Sequence, residues 1–210
     1  MSFLNKPFKY RNDNVVFILI GLNVLVFLGE MFLTRLRIPV YLSIYPPAIY
    51  HGWIWQFVTY MFVHDPNSMS HIVFNMLALF IFGTRVEQYM GSREFLLYYM
   101  ITGILAGVFS FIFYVITNTW LVFLMGASGA IFALQLAYAA IYPKSVMLIW
   151  GILPLPAPVM VLVFTAFSLV SMFTGIGGNV AHLTHLAGFA FGWLYFLVRF
   201  RINPWRAMFG

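Results

Sequence analysis

The chain contains no cysteine among its 210 residues. That excludes disulfides, thiol nucleophiles and thiolate metal sites. It is also poor in charge: 8% of residues are Asp, Glu, Lys or Arg, and only 5 are acidic. Soluble domains carry about 25% charged residues, so a water-exposed surface of ordinary composition is excluded. Alternation of polar and apolar residues, the mark of a membrane β-barrel, is missing too. What is present is apolar sequence: 63% of the chain is hydrophobic, and runs such as Val15–Leu22 and Val159–Leu169 are unbroken. A backbone in lipid must satisfy its own hydrogen bonds. Continuous apolar runs therefore imply helices of about 20 residues each, and about six fit the length.

We place the spans at about Asn14–Leu33, Met69–Tyr89, Phe95–Ile116, Ser128–Tyr142, Ala157–Phe173 and Ala181–Phe200, in a single membrane domain covering residues 1–210. The apolar run after the basic Met1–Arg11 stretch is too long for a signal-peptide core and lacks a small-residue cleavage site, so it reads as a retained first helix. The prolines of Pro154-Leu155-Pro156-Ala157-Pro158 are incompatible with a helix interior and are expected to precede the fifth helix. The glycine-rich Thr174–Asn179 stretch reads as a mobile loop before the sixth. The long segment Thr34–Ser68 between the first two helices carries Trp53, Trp55, Phe57 and several tyrosines. Such residues suit the headgroup layer, so it is expected to be partly helical and membrane-associated on the outer side.

The net charge of +6 does not call for nucleic acid. Nine of the eleven basic residues (Lys6, Lys9, Arg11, Arg85, Arg93, Lys144, Arg199, Arg201 and Arg206) fall on one side of this topology. Only Arg35 and Arg37 fall on the other. By the positive-inside bias, both termini are expected in the cytoplasm, with the chain in the plasma (inner) membrane.

With that topology the second, fourth and sixth helices all run inward, and each has polar residues near its outer end. The second opens with His71 and Asn75, the fourth with Ser128, the sixth with His182 and His185. Ionisable groups within a membrane are costly and point to function. Ser128 stands in Gly126-Ala127-Ser128-Gly129, at a helix start where the macrodipole favours negative charge. The same position would suit an ordinary N-cap serine. A serine hydroxyl needs a base to act as nucleophile, and His185 has the chemistry for it. Gly188 and Gly192 lie below His185, and Gly129 and Ala133 below Ser128. Small residues at this spacing let membrane helices approach closely, which would bring serine and histidine together. His182 reads as a water-facing neighbour. No acidic residue is placed to complete a triad, so the expected arrangement is a Ser–His dyad, with Phe132 orienting the ring. His71 and Asn75, at i and i+4 on one helix face, can aim two donors at an oxyanion, with the Ser128 backbone N–H as a third. A structural hydrogen-bond network between helices is compatible with the same residues. No cofactor or metal is called for.

Taken in this order, His71-Ile72-Val73-Phe74-Asn75, Gly126-Ala127-Ser128-Gly129 and His185-Leu186-Ala187-Gly188 with Gly192 resemble the rhomboid family of intramembrane serine proteases. Gly91 after Glu87 fits a further pattern of that family. The resemblance covers nearly the whole chain. It implies an all-α, six-transmembrane-helix bundle with an embedded first outer loop, Ser128 as nucleophile and His185 as base. It also implies that His71 and Asn75 contribute to the oxyanion hole. Expected substrates are single-span membrane proteins, cut in or near the bilayer, often after a small residue. Three departures stand out: Trp55-Gln56 where the family often has Trp-Arg, Thr184 before the histidine where alanine is common, and a longer stretch from His64 to His71. A proteolytically silent relative that binds membrane clients is the alternative. A transporter or haem protein using His64, His71, His182 and His185 lacks the inverted repeat that transport folds show.

Overall fold

In the computed structural model, residues 8–149, 152–174 and 179–210 are described. The chain is a bundle of apolar helices. The first, α1 (Val15–Phe32), is followed by three short helices, α2 (Ile38–Leu42), α3 (Pro46–Tyr50) and α4 (Gln56–Thr59). Next come α5 (Met69–Ala78) and α6 (Thr84–Met90), joined through a π turn at Leu79–Gly83 into one rod. The 25-residue α7 (Ser92–Ile116), α8 (Ser128–Ile141), α9 (Ala157–Thr174), α10 (Asn179–Tyr195) and the short α11 (Pro204–Phe209) complete the order. Among the described residues, four helices are long and apolar enough to cross a membrane: Val15–Phe32, Met69–Met90, Ser92–Ile116 and His182–Phe200. Two shorter apolar helices, Ser128–Ile141 and Ala157–Met172, accompany them. The protein is a multi-pass helical membrane protein.

One small sheet interrupts the helices. β1 (Val146–Ile149) and β2 (Leu153–Pro156) pair antiparallel, Val146 opposite Pro156. The hairpin is too short to carry stability alone. The prolines end with it, and α9 begins at Ala157. Most of the Thr174–Asn179 loop, residues 175–178, lies outside the described residues, as do Met1–Pro7.

The core helix is α8. It buries Ala130, Ala133, Ala137 and Ala139 among α7, α10 and α5. Small side chains here replace hydrophobic driving force with close packing, which is what lipid permits. A Cβ on Gly188 would run into the Gly129 carbonyl oxygen. No side chain fits there without moving the backbone. One turn on, a Cβ on Gly192 would meet the Tyr98 hydroxyl at 2.6 Å and Ala133 Cβ at 3.1 Å, and the Tyr98 hydroxyl donates to the Ala133 carbonyl at 2.6 Å.

The bundle has two chemically distinct ends. At the basal end, Glu87 accepts from the backbone N–H groups of Val15 (2.7 Å) and Val16 (3.0 Å). A carboxylate thus serves the N-terminus of α1, where the helix dipole favours it. Glu94 on α7 pairs with Arg199, in the π turn Phe196–Phe200 that follows α10, at 2.7 Å and 2.8 Å. It also accepts from Tyr195 Oη and from the Phe8 backbone N–H. At the opposite end, the Thr34–Ser68 segment folds into its short helices. Trp53 stacks between Tyr41 and Trp55, an aromatic cluster of the kind that sits at headgroup depth. Gln56 is fully buried there. Its Nε2 donates to the Val40 and Tyr41 carbonyls, and its Oε1 accepts from Tyr45 N–H. The residue that departs from the family pattern therefore ties the segment together.

Candidate active site

Ser128 begins α8, immediately after the tight turn at Gly126. Gly126 adopts φ +118°, a region L-residues rarely enter. Its N–H donates to the Tyr60 carbonyl at 2.9 Å, so the outer segment holds the turn in place. Tyr60 in turn donates its hydroxyl to the Gly103 carbonyl on α7.

Ser128 Oγ lies 2.9 Å from His185 Nε2 on α10. The His185 ring stacks on Phe132, one turn along α8, with centroids 4.0 Å apart and planes 9° apart. Phe189 meets the other side of Phe132 edge-on. His185 Nδ1 is buried with no hydrogen-bond partner among the described residues. No carboxylate therefore orients the imidazole; aromatic packing does. If Nε2 accepts from the serine hydroxyl, Nδ1 carries the ring proton.

His71 and Asn75 come to the same place. A Cβ on Gly126 would meet His71 Nε2 at 2.9 Å and Asn75 Nδ2 at 3.8 Å. Both side chains thus border the space that the glycine leaves open beside Ser128. Asn75 also donates to the His71 carbonyl, one turn back, at 3.0 Å. That bond uses one of its two amide protons.

Thr184 packs its methyl against Gly129 and its Oγ1 bonds Ser110 Oγ on α7 at 2.7 Å. It locks the α10 turn that carries His185. The longer His64–His71 stretch is absorbed by a turn in which Asp65 Oδ1 accepts from Asn67 N–H at 2.9 Å. His182 is not water-facing: it is 7% exposed. Its ring meets both His185 and Phe167 edge-on, with centroids 5.7 Å apart in each pair.

Two residues of this region escape a reading by motif. His64 is fully buried, and its ring meets that of His71 edge-on, with centroids 5.1 Å apart. Burial, then the neighbouring His71, pushes its imidazole down to about 4, so it is neutral at physiological pH. Glu30, near the end of α1, accepts from the His64 backbone N–H at 3.2 Å. A lone acid in an apolar helix was the available signal for it. Its partner lies thirty-four positions away, so no spacing rule reaches it.

Comparison with known proteins agrees in family. A sequence profile described as the Rhomboid domain matches residues 51–202. The chain is 30% identical over 185 residues to rhomboid protease GlpG of Haemophilus influenzae, a match covering 86% of this chain and 90% of that protein. It is 39% identical over 84 residues to rhomboid protease GluP of Bacillus subtilis. That match spans 40% of this chain and only 15% of GluP. A third relative, rhomboid protease AarA of Providencia stuartii, is 32% identical over 105 residues, or 45% of this chain and 36% of that protein.

Proposed function

The chain belongs to the rhomboid family, and on that footing we propose that it is an active serine endopeptidase working through a dyad of Ser128 and His185. The family is one of proteases that act on membrane protein substrates within the bilayer. The observation that carries the reading for this chain is the 2.9 Å contact between Ser128 Oγ and His185 Nε2.

In the proposed cycle, His185 Nε2 takes the hydroxyl proton as Ser128 Oγ attacks the scissile carbonyl carbon. The carbonyl oxygen becomes an oxyanion in the space beside Gly126. The His71 and Asn75 side chains and the Ser128 N–H, a free donor of the first helical turn, stabilise it. His185 returns the proton to the leaving amine, and the acyl-enzyme is then hydrolysed by water that His185 deprotonates. Phe132 keeps the ring plane fixed through both steps. Gly129, Gly188 and Gly192 keep α8 and α10 close enough for the dyad to meet. Without a third member, the imidazole depends on packing rather than on a carboxylate.

The proposal extends to topology. All six apolar helices cross the membrane in one domain, and both termini lie in the cytoplasm of a plasma-membrane protein, as the bias of basic residues supports. Substrates are single-span membrane proteins presented at the outer end. The test is cleavage of a model single-span substrate in liposomes, with product ends mapped. Wild type is expected to cut and Ser128→Ala to be inert. Equal cleavage by the two would remove Ser128 as nucleophile, and no cleavage by either would favour a silent client-binding relative.

A further inference from the structure

Behind His71 lies a set of buried polar atoms that the proposed mechanism does not use. Glu30 is 3% exposed and His64 0%. The Glu30 carboxyl is anchored by one oxygen, which accepts from the His64 N–H. Its other oxygen, Oε1, has no hydrogen-bond partner among the described residues, and His64 Nδ1 and Nε2 make no well-formed hydrogen bond there, the Phe62 backbone giving the ring a weak polar contact. Poorly paired buried polar atoms are costly, and three in contact-sharing residues mark a place for something that both donates and accepts. A neutral imidazole offers one donor and one acceptor, and a carboxyl oxygen offers an acceptor. Water fits that set: buried waters make about three hydrogen bonds to otherwise unsatisfied groups. Among the described residues, Asp65 is a charged group that acts on both Glu30 and His71, and its Oδ1 is engaged by Asn67.

We propose that Glu30 and His64 hold a buried water behind His71, and that Glu30 is thereby a positioning residue for the imidazole facing Gly126. The inference rests on the protease reading. Its reach comes from contact: the His64 ring edge supports the His71 ring, and His71 Nε2 borders the oxyanion space at Gly126. If Glu30 is lost, the His64 backbone loses its acceptor and the water loses a partner. His64 can then shift, and His71 with it.

The experiment uses the full chain in liposomes, with kcat and KM for a model single-span substrate and the structure of the wild type as two separate arms. Glu30→Leu, close in volume but without an acceptor, should lower kcat roughly tenfold with KM unchanged, because a small misplacement of a catalytic group costs rate rather than binding. Glu30→Gln keeps a carbonyl acceptor for the His64 N–H and should recover most of the loss. A crystal structure should place an ordered water within hydrogen-bond reach of Glu30 Oε1 and the His64 ring. Unchanged kcat in Glu30→Leu overturns the positioning role. Equal loss in Glu30→Gln assigns the effect to charge instead and overturns the water site. A dry space between Glu30 and His64 does the same, even if Glu30→Leu does not fold. A wild type that neither cleaves nor reacts at Ser128 refutes the protease reading, an outcome distinct from all of these.

Discussion

The two ends of the bundle treat their polar groups in opposite ways. At the basal end, both oxygens of Glu87 and both of Glu94 accept hydrogen bonds, and Arg199 donates through two nitrogens to Glu94. At the other end, Glu30 Oε1, both ring nitrogens of His64 and His185 Nδ1 make no well-formed hydrogen bond among the described residues. The first pattern fixes geometry. The second leaves hydrogen-bonding capacity open in a region where the dielectric makes it costly. Such cost is tolerated where chemistry needs it. On the proposed function, stability and reactivity are separated along the bundle axis, and substitutions at the two ends should have different signatures.

The largest effect should come from His185→Ala. It removes the proposed base, and cleavage of a model substrate should fall by about 10⁴-fold, with helix content unchanged by circular dichroism. Retained activity would end the assignment of reactivity to this end. Next comes the small-residue seam. Gly188→Ala drives a Cβ into the Gly129 carbonyl oxygen, forcing α8 and α10 apart. A displacement near 1 Å at the dyad should cost roughly 10²-fold in kcat. Wild-type kinetics in that variant would show that the two helices adjust without disturbing Ser128 and His185. Asn75→Ala should lower kcat by about 10²-fold without abolishing it, and unchanged kinetics would remove Asn75 from the oxyanion hole.

The basal end should respond in stability instead. The Glu94 and Arg199 side chains are 2% and 7% exposed. Arg199→Met leaves the Glu94 carboxylate buried without its cation, which costs about 3–5 kcal/mol. Thermal unfolding in detergent should shift accordingly, while kcat of the folded fraction stays at the wild-type value. A fall in kcat with no loss of stability would reverse the comparison. The smallest effect is one of pH. Burial holds the His64 imidazole at about 4, below the ordinary value of 6.5. A group depressed in the fold contributes stability above its unfolded pKa and loses it as pH falls towards its folded one. Stability should therefore decline between about pH 6.5 and pH 4, and His64→Phe should flatten that decline. An identical pH profile in the variant would assign the titration to another group.

Much of this was legible in the amino-acid sequence. The low charge and unbroken apolar runs announce a helical membrane protein, and among the described residues four helices are long and apolar enough to cross a membrane, with two shorter apolar helices beside them. Ser128, His185, His71 and Asn75 could be set at one depth because three helices expected to run the same way each begin with polar residues. Gly129 and Gly188 could be paired because small residues at helical spacing have few other uses in lipid. What could not be read depended on long-range placement. Glu30 meets His64 through a fold of the intervening segment, and neither belongs to a periodic pattern. His182 lies one turn from His185 near a helix end, which suggested water; Phe167 of α9 covers it instead. The β1–β2 hairpin was hidden because Val146-Met147-Leu148-Ile149 is a short apolar run without helical or alternating character. Gln56 departs from the family pattern, and only the fold shows that its amide makes three bonds within the segment between α1 and α5.

The most direct test is labelling by a serine-reactive fluorophosphonate in the intact membrane protein, with the modified residue identified by peptide mass. Wild type should be labelled at Ser128 alone, His185→Ala should be labelled far more slowly, and Ser128→Ala should not be labelled. Labelling that persists in Ser128→Ala, or that is as fast in His185→Ala as in wild type, would contradict a nucleophile activated by the 2.9 Å contact between these two side chains.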